Sequence, residues 1–336
     1  MKTIDLLDAP LTDAFARRID YLRISVTDKC NLRCIYCMPA EGLAWIERDE
    51  LLSFEEIERL VGIFASVGVR KLRISGGEPL VRRDLPRLVR MLAAVDGIEE
   101  IALSTNGILL EERLPELMDA GLTRVNVSLD TLREDRFEAL ARRPGLGNVL
   151  AAIDASVRAG ARPVKINCVA MRGRNDDEIE AFARYARERD VAVRFIELMP
   201  VRENLGIAAD AYISAEEILE RLSAIDALVP VAGPPGNGPA RYFGFADGVG
   251  TIGVISPLSH DYCERCNRVR LTADGRLRLC LFGENHLDLK GALRAGESDE
   301  RIRERISASM LVKPERHHLR VGEAASQMRA FSEIGG

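Results

Sequence analysis

Arg70-Lys71-Leu72-Arg73-Ile74-Ser75-Gly76-Gly77-Glu78-Pro79 decides the fold. The first six residues read as a strand, and Gly-Gly-Glu-Pro stands at its carboxyl end. Successive strand residues point to opposite faces, so Arg73 and Ser75 lie on one side and Leu72 and Ile74 on the other. Buried parallel strands usually read as near-continuous apolar runs; this one does not. The split recurs along the chain. In residues 124–129, Asn126 and Ser128 oppose Val125 and Val127, and Asp130 continues the polar face. In residues 163–170, Lys165 and Asn167 oppose Val164, Ile166 and Cys168.

Further strands are expected over residues 21–26, 100–105 and 192–198, with helices between them. Ser53-x-x-Glu56 is a capping box that opens an amphipathic helix to about residue 67, and Gly68 ends it. Helices are also expected from Asp84, over residues 110–120, in a long region reaching 159, and over 176–189. Strands alternating with helices in this way predict a parallel α/β sheet. A doubly wound sheet is the rival architecture, but helices on both its faces would allow no wet face. Polar faces converging on one interior suit an incomplete TIM-like (β/α)6 barrel around a solvated cavity. Function concentrates at the carboxyl ends of barrel strands, and Cys30, Glu78, Asn106, Asp130 and Met199 all fall just past such ends.

After Pro200 the alternation stops. Ser214-x-x-Glu217 caps a helix to about residue 222, and residues 233–253 are rich in glycine and proline. Asp247-Gly248 is a hairpin-turn signal between strands at 242–245 and 251–255, and a helix is expected near 301–310. The chain therefore divides into a barrel, residues 1–210, and a C-terminal α+β extension, residues 211–336.

Composition narrows the partners. With 336 residues, 47% of them apolar, the chain can build one large core plus an appended module. A net charge of −5 provides no global basic field, so nucleic acid is not an expected partner. Only six of the 47 basic residues are lysines, which makes a lysine inside a strand informative. Residues 1–20 carry acids and no apolar h-region, and no run approaches transmembrane length. Seven cysteines, six of them in two triplets, argue against a disulfide framework and for metal ligation in a reducing cytoplasm.

The first triplet is Cys30-x3-Cys34-x2-Cys37. Three thiolates can hold an iron–sulfur cubane while leaving one iron open to a ligand. A zinc knuckle with a remote fourth ligand, or three unrelated core cysteines, are the competing readings. The second triplet is Cys263-x2-Cys266-x13-Cys280, with His260 close enough to complete a Cys3His zinc ribbon. Arg268 and Arg270 alternate on an extended stretch and so share a face suited to a triphosphate or purine edge, unless they are simply solvated.

The order C-x-x-x-C-x-Y-C, with Tyr36 before the last cysteine, resembles the signature of the radical S-adenosylmethionine (SAM) enzymes. The run Cys266-Asn267-Arg268-Val269-Arg270-Leu271-Thr272 and the terminal Gly335-Gly336 narrow the resemblance to the GTP 3′,8-cyclase family of molybdenum cofactor biosynthesis, over nearly the whole chain. That resemblance implies two [4Fe–4S] clusters, one on Cys30, Cys34 and Cys37 and one, carried by the extension, on Cys263, Cys266 and Cys280. It implies SAM as cosubstrate, contacted by Tyr36, Gly77, Ser128 and Met199. It implies GTP contacts from Arg23, Arg73, Ser104, Lys165, Arg268 and Arg270, with Thr105 able to replace Ser104. A salt bridge to Asp130 or Glu197 is the competing explanation for Lys165. Gly335 and Gly336 are expected to reach the active site, and with Arg268 and Arg270 they form the expected catalytic set.

The expected reaction is a lyase-type cyclisation of GTP, driven by an external electron donor, with the product passed to a separate pyranopterin synthase. Whether the chain pairs as a homodimer is left open by the sequence. The rivals are a peptide-modifying radical SAM maturase with an auxiliary cluster, and a zinc-binding protein without radical chemistry. No Ser-His-Asp, paired-His zinc or phosphate-loop motif supports a hydrolytic reading.

Overall fold

The computed structural model describes residues 10–199, 209–224, 227–234, 238–246, 248–283, 286–319 and residue 331. Strands β1 (Tyr21–Ser25), β2 (Lys71–Ser75), β3 (Glu100–Thr105), β4 (Arg124–Ser128), β5 (Lys165–Ala170) and β6 (Ala192–Glu197) lie side by side in chain order, each parallel to the next. A doubly wound sheet reverses its order partway; this one never does. The barrel reading holds.

Helices α1 (Phe54–Ser66), α2 (Leu85–Ala93), α3 (Leu110–Asp119), α4 (Glu134–Ala141), α5 (Leu146–Arg158) and α6 (Ile179–Arg189) connect these strands. The Ser53–Glu56 capping box is formed in both directions. The long helical region expected before residue 159 is in fact α4 and α5. Arg142, with φ 55°, turns the chain at the end of α4 and breaks it. The helix expected from residue 176 begins as a 3-10 turn, Asp176–Glu178, which passes into α6.

The strands' two faces divide as their alternation implies. Leu22, Ile24, Leu72, Ile74, Val125, Val127, Ile166 and Cys168 point outward and join one apolar core with the helices. Arg73, Asn126, Lys165 and Arg194 take the opposite face and are nonetheless buried. Buried cations inside a barrel are costly unless something anionic joins them.

Residues beyond 210 extend the same sheet at both edges. Helix α7 (Ala215–Ser223) precedes β7 (Val229–Val231), β8 (Arg241–Gly244) and β9 (Thr251–Ile255), and β9 pairs parallel with β6. The β8–β9 pair is the expected antiparallel hairpin. Strand β10 (Arg268–Leu271) instead pairs parallel with β1, and β11 (Arg276–Arg278) and β12 (His286–Asp288) continue outward from it. Helices α8 (Leu289–Arg294) and α9 (Asp299–Met310) end the described elements. Among the described residues no helix is long and apolar enough to cross a membrane.

Glu197 ties the extension to the barrel. It ends β6 with its side chain fully buried. Its carboxylate accepts from the Tyr212 hydroxyl at 3.1 Å, from the Ala215, Leu258 and Ser259 amides at 2.9–3.0 Å, and from the Ser259 hydroxyl.

Candidate active site

At the carboxyl end of the barrel a cavity of about 190 Å³ is walled by the first triplet. Cys30, Cys34 and Cys37 line it, and so do all four residues assigned to SAM: Tyr36, Gly77, Ser128 and Met199. The loop that carries the thiols is held from several sides. Arg33 and Ile35 N–H groups donate to the Ala141 and Leu140 carbonyls at the end of α4. Tyr36 donates its hydroxyl to Asp130 at 2.8 Å, and Asp130 also accepts the Val169 amide. Asn106 donates to Asn31 at 2.7 Å and reaches the Cys30 sulfur at 3.8 Å.

The glycine pair makes this wall thin. A Cβ on Gly77 would stand 2.4 Å from the carbonyl oxygens of Asp28 and Lys29, so no other residue fits without moving backbone. Glu78 anchors the turn by accepting from the Leu80 amide, the Thr105 hydroxyl and the Asn106 amide at 2.7–3.0 Å. Burial still pushes its carboxyl up to about 7. Asp130 is pushed up to about 6, mainly by burial. The thiols move the same way: burial raises Cys30 to about 11 and Cys34 well above the usual thiol range. Ligation must therefore strip protons from reluctant thiols, as a strongly electron-accepting metal centre can.

Below this cavity lies a cationic interior. Arg23 sits opposite Arg73 on one side and Arg270 on the other. Lys165 is 2% exposed, with its ammonium 3.4 Å from the Pro234 carbonyl oxygen and 5.9 Å from the Tyr242 ring centre. The acids that could have explained Lys165 serve elsewhere. Asp130 binds Tyr36 and Val169, and Glu197 belongs to the outward face of β6. Burial, then Arg194, Arg124 and Arg73, push Lys165 down to about 6. Burial lowers Arg23 well below its ordinary value, with help from Arg270 and Arg73, and brings Arg270 to about 10. Guanidinium groups stay charged under such pressure. The interior is thus rich in closely spaced basic side chains. Ser104 belongs to both regions, since it lines the upper cavity and accepts from Arg73 at 3.4 Å.

Two interior cations escaped the sequence reading. Arg194 is buried beside Lys165's strand, and burial pushes it down to about 10. Arg124 is buried and paired with Glu100. The alternation that singled out Lys165 also marks both, but single arginines stand out little in so arginine-rich a chain.

The second triplet is gathered on the β10–β11 side. Cys263 opens a 3-10 turn, Cys266 precedes β10, and Cys280 follows β11. Arg17 donates to the carbonyls of Cys263, Pro314 and Glu315 at 2.7–2.8 Å while its guanidinium pairs with Asp13 at 2.6 Å. Lys313, also buried, donates to the carbonyls of Arg268 and Leu279. Burial raises the Cys266 thiol, but Lys313, Arg268 and Arg17 together outweigh it and the net shift is downward. His260 turns away to pair with Glu216 at 2.7 Å. Among the described residues, no three or more His, Cys, Asp or Glu side chains are grouped as they would be round a single metal ion.

The two ends of the site meet through apolar contacts. Leu281 and Phe282, which follow Cys280, cluster with Met199 and Phe331, and Phe331 also lines the upper cavity. Gly335 and Gly336 lie outside the described residues.

A cysteine-walled cavity at the carboxyl mouth of an incomplete six-stranded barrel defines a radical SAM protein. Residues 24–186 match the Radical SAM superfamily and residues 191–319 match the Molybdenum Cofactor Synthesis C family. The GTP 3′,8-cyclase of Moorella thermoacetica is 47% identical, and that of Pelotomaculum thermopropionicum 46%. Each match spans 97% of this chain and the whole of the relative. The chain belongs to the GTP 3′,8-cyclase family. Among solved structures, SuiB of Streptococcus suis bound to S-adenosylmethionine superposes with a TM-score of 0.60 at 15% identity, over 85% of this chain and 66% of that one. That likeness concerns the fold alone.

Proposed function

We propose that this chain is a radical SAM cyclase that converts GTP to (8S)-3′,8-cyclo-7,8-dihydroguanosine 5′-triphosphate, the first step of molybdopterin biosynthesis. One observation carries the reading: Ser104 lines the thiol-walled cavity and accepts from Arg73, so the basic interior of the barrel adjoins that cavity. A triphosphate complements the close-set guanidinium groups of Arg23, Arg73 and Arg270 and favours the charged form of Lys165.

A [4Fe–4S] cluster on Cys30, Cys34 and Cys37 supplies, when bound, an electron and one open iron to SAM. The chain's own residues do the positioning. Tyr36, fixed by Asp130, together with Gly77, Ser128 and Met199, holds the cosubstrate at the upper end. Lys165 and the arginines hold the triphosphate below, so the ribose C3′ lies toward the upper cavity. Arg268 and Arg270 keep the base and the triphosphate in reach, and Cys263, Cys266 and Cys280 would hold a second cluster. Gly335 and Gly336 complete the proposed catalytic set. Hydrogen abstraction at C3′ and closure onto C8 demand that the reactants be kept close and oriented. The barrel, residues 1–210, thus serves SAM, and residues 211–336 complete the GTP site. Electrons come from an external donor in the cytoplasm, and the product passes to a separate pyranopterin synthase.

The test uses anaerobically reconstituted protein, reductant, SAM and GTP deuterated at C3′, with mass spectrometry of the 5′-deoxyadenosine released. Deuterium in that product is expected. Unlabelled 5′-deoxyadenosine would leave the SAM chemistry standing and remove GTP as the substrate.

A further inference from the structure

A second cleft, of about 810 Å³, opens on the outside of the barrel between the loop after β1, the start of α1 and the turn before α2. Lys29, Arg48, Arg82, Arg83, Arg87 and Arg294 face it against only Asp49, Glu55 and Asp84, although the chain's net charge is −5. Lys29, Arg48 and Arg83 are exposed. Arg87 pairs with Glu55, and Arg294 with Glu56. Arg82 is spent on structure, donating to the Val26 and Leu52 carbonyls over the Phe54 ring.

The position of the cleft matters more than its charge. Thr27 and Lys29 line it, while Cys30, the next residue, lines the inner cavity. The segment between them is a shared wall with Gly77 packed against its inner side. The Glu78 amide donates to the Lys29 carbonyl at 2.8 Å and locks the wall in place. From the floor of the cleft to a first-triplet thiol the covalent path is a single residue.

We propose that this cleft is the docking surface of an acidic one-electron carrier protein that reduces the group held by Cys30, Cys34 and Cys37. The proposal rests on the radical SAM reading, in which each SAM cleavage consumes one electron delivered from outside. The carrier is oxidised by one electron and the iron on these thiols is reduced by one. A protein suits the cleft better than a compact polyanion, because Asp49, Glu55 and Asp84 are interleaved with the cations. An extended acidic surface can meet the exposed Lys29, Arg48 and Arg83 while avoiding those carboxylates.

The test uses the full reconstituted chain and, as probe, an acidic low-potential flavodoxin. Its affinity is followed in the oxidised state by flavin fluorescence, with no SAM or GTP present. The Arg48→Glu/Arg83→Glu variant is expected to bind on the order of 10-fold more weakly, and wild-type affinity to fall with added salt. Stopped-flow reduction of the iron–sulfur chromophore by photoreduced flavodoxin should slow in parallel, while reduction by dithionite stays unchanged. Arg158→Glu/Arg184→Glu makes the same charge change on exposed positions of α5 and α6 and should alter neither measurement. Equal weakening by this control, unaltered affinity in the cleft variant, or inorganic phosphate filling the cleft without displacing flavodoxin would each overturn the proposal. Neither readout involves GTP, so failure of the cyclase reading leaves the outcome interpretable.

Discussion

Lys165 is the residue at which burial makes the proposed GTP site testable. Its folded-state value, about 6, lies below the ordinary lysine value near ~10.4. Between those limits the unfolded chain holds a proton that the native chain has lost. Stability therefore falls as pH drops through that window and levels off below about 6. On the proposed reading, a bound triphosphate reverses the preference and favours the ammonium. Calorimetry of GTP binding at pH 7.5, in buffers of different ionisation enthalpy, should report proton uptake that disappears in Lys165→Ala. The same variant should bind GTP roughly 10–100-fold more weakly, the worth of a charge-assisted hydrogen bond, with SAM binding and iron content unchanged. Equal GTP affinity in the two proteins would remove Lys165 from the site. This residue was legible because a lysine between Val164 and Ile166 breaks an apolar run. Arg17 was not: its partners Cys263, Pro314 and Glu315 lie some 250–300 positions away, and no local pattern encodes such contacts.

Elements were legible in proportion to their length and periodicity. The six barrel strands and α1 follow from alternation and capping, with ends shifted by a residue or two where hydrogen bonding rather than polarity sets the boundary. Strands β7, β11 and β12 were missed. Three residues cannot display a period, and each of these strands exists because a neighbour offers an edge. The break between α4 and α5 was missed because Arg142 gives no warning of a left-handed backbone. Where the signal was strong it also predicts energetics. Ser53 accepts from the Glu56 amide at 3.1 Å and Glu56 returns the bond at 2.8 Å, so Ser53→Ala should cost about 1 kcal/mol in urea unfolding. A loss well below that would mean that the Glu56–Arg294 pair, at 2.8 Å, holds the start of α1 unaided.

At the scale of the molecule, Glu197 is where barrel and extension depend on one another. Glu197→Ala strands the buried Ala215 amide and the part-buried donors of Tyr212, Leu258 and Ser259. The expected loss is at least ~3 kcal/mol, since each unsatisfied donor costs roughly 1–3 kcal/mol. Glu197→Gln keeps the shape and some acceptor capacity and should lose less. On the two-cluster proposal, a hub that sets the loop before Cys263 should make reconstituted iron in Glu197→Gln fall selectively at the second triplet, read by Mössbauer spectroscopy against a Cys263→Ser control. Full loading there would confine Glu197 to stability. The barrel was legible in the sequence; the closing of both its edges by the extension was not, because parallel pairing between distant strands leaves no local mark.

The pairing of β1 with β10 also bears on how the protein is made. One edge of β1 finds β2 almost at once, but the other must wait until Arg268–Leu271 leaves the ribosome. That is roughly 250 residues later, on the order of 10–50 s at ordinary elongation speeds. Throughout that interval the nascent chain displays an open strand edge at the heart of its future barrel. An edge left open for so long is where the nascent chain is most exposed to pairing with another chain.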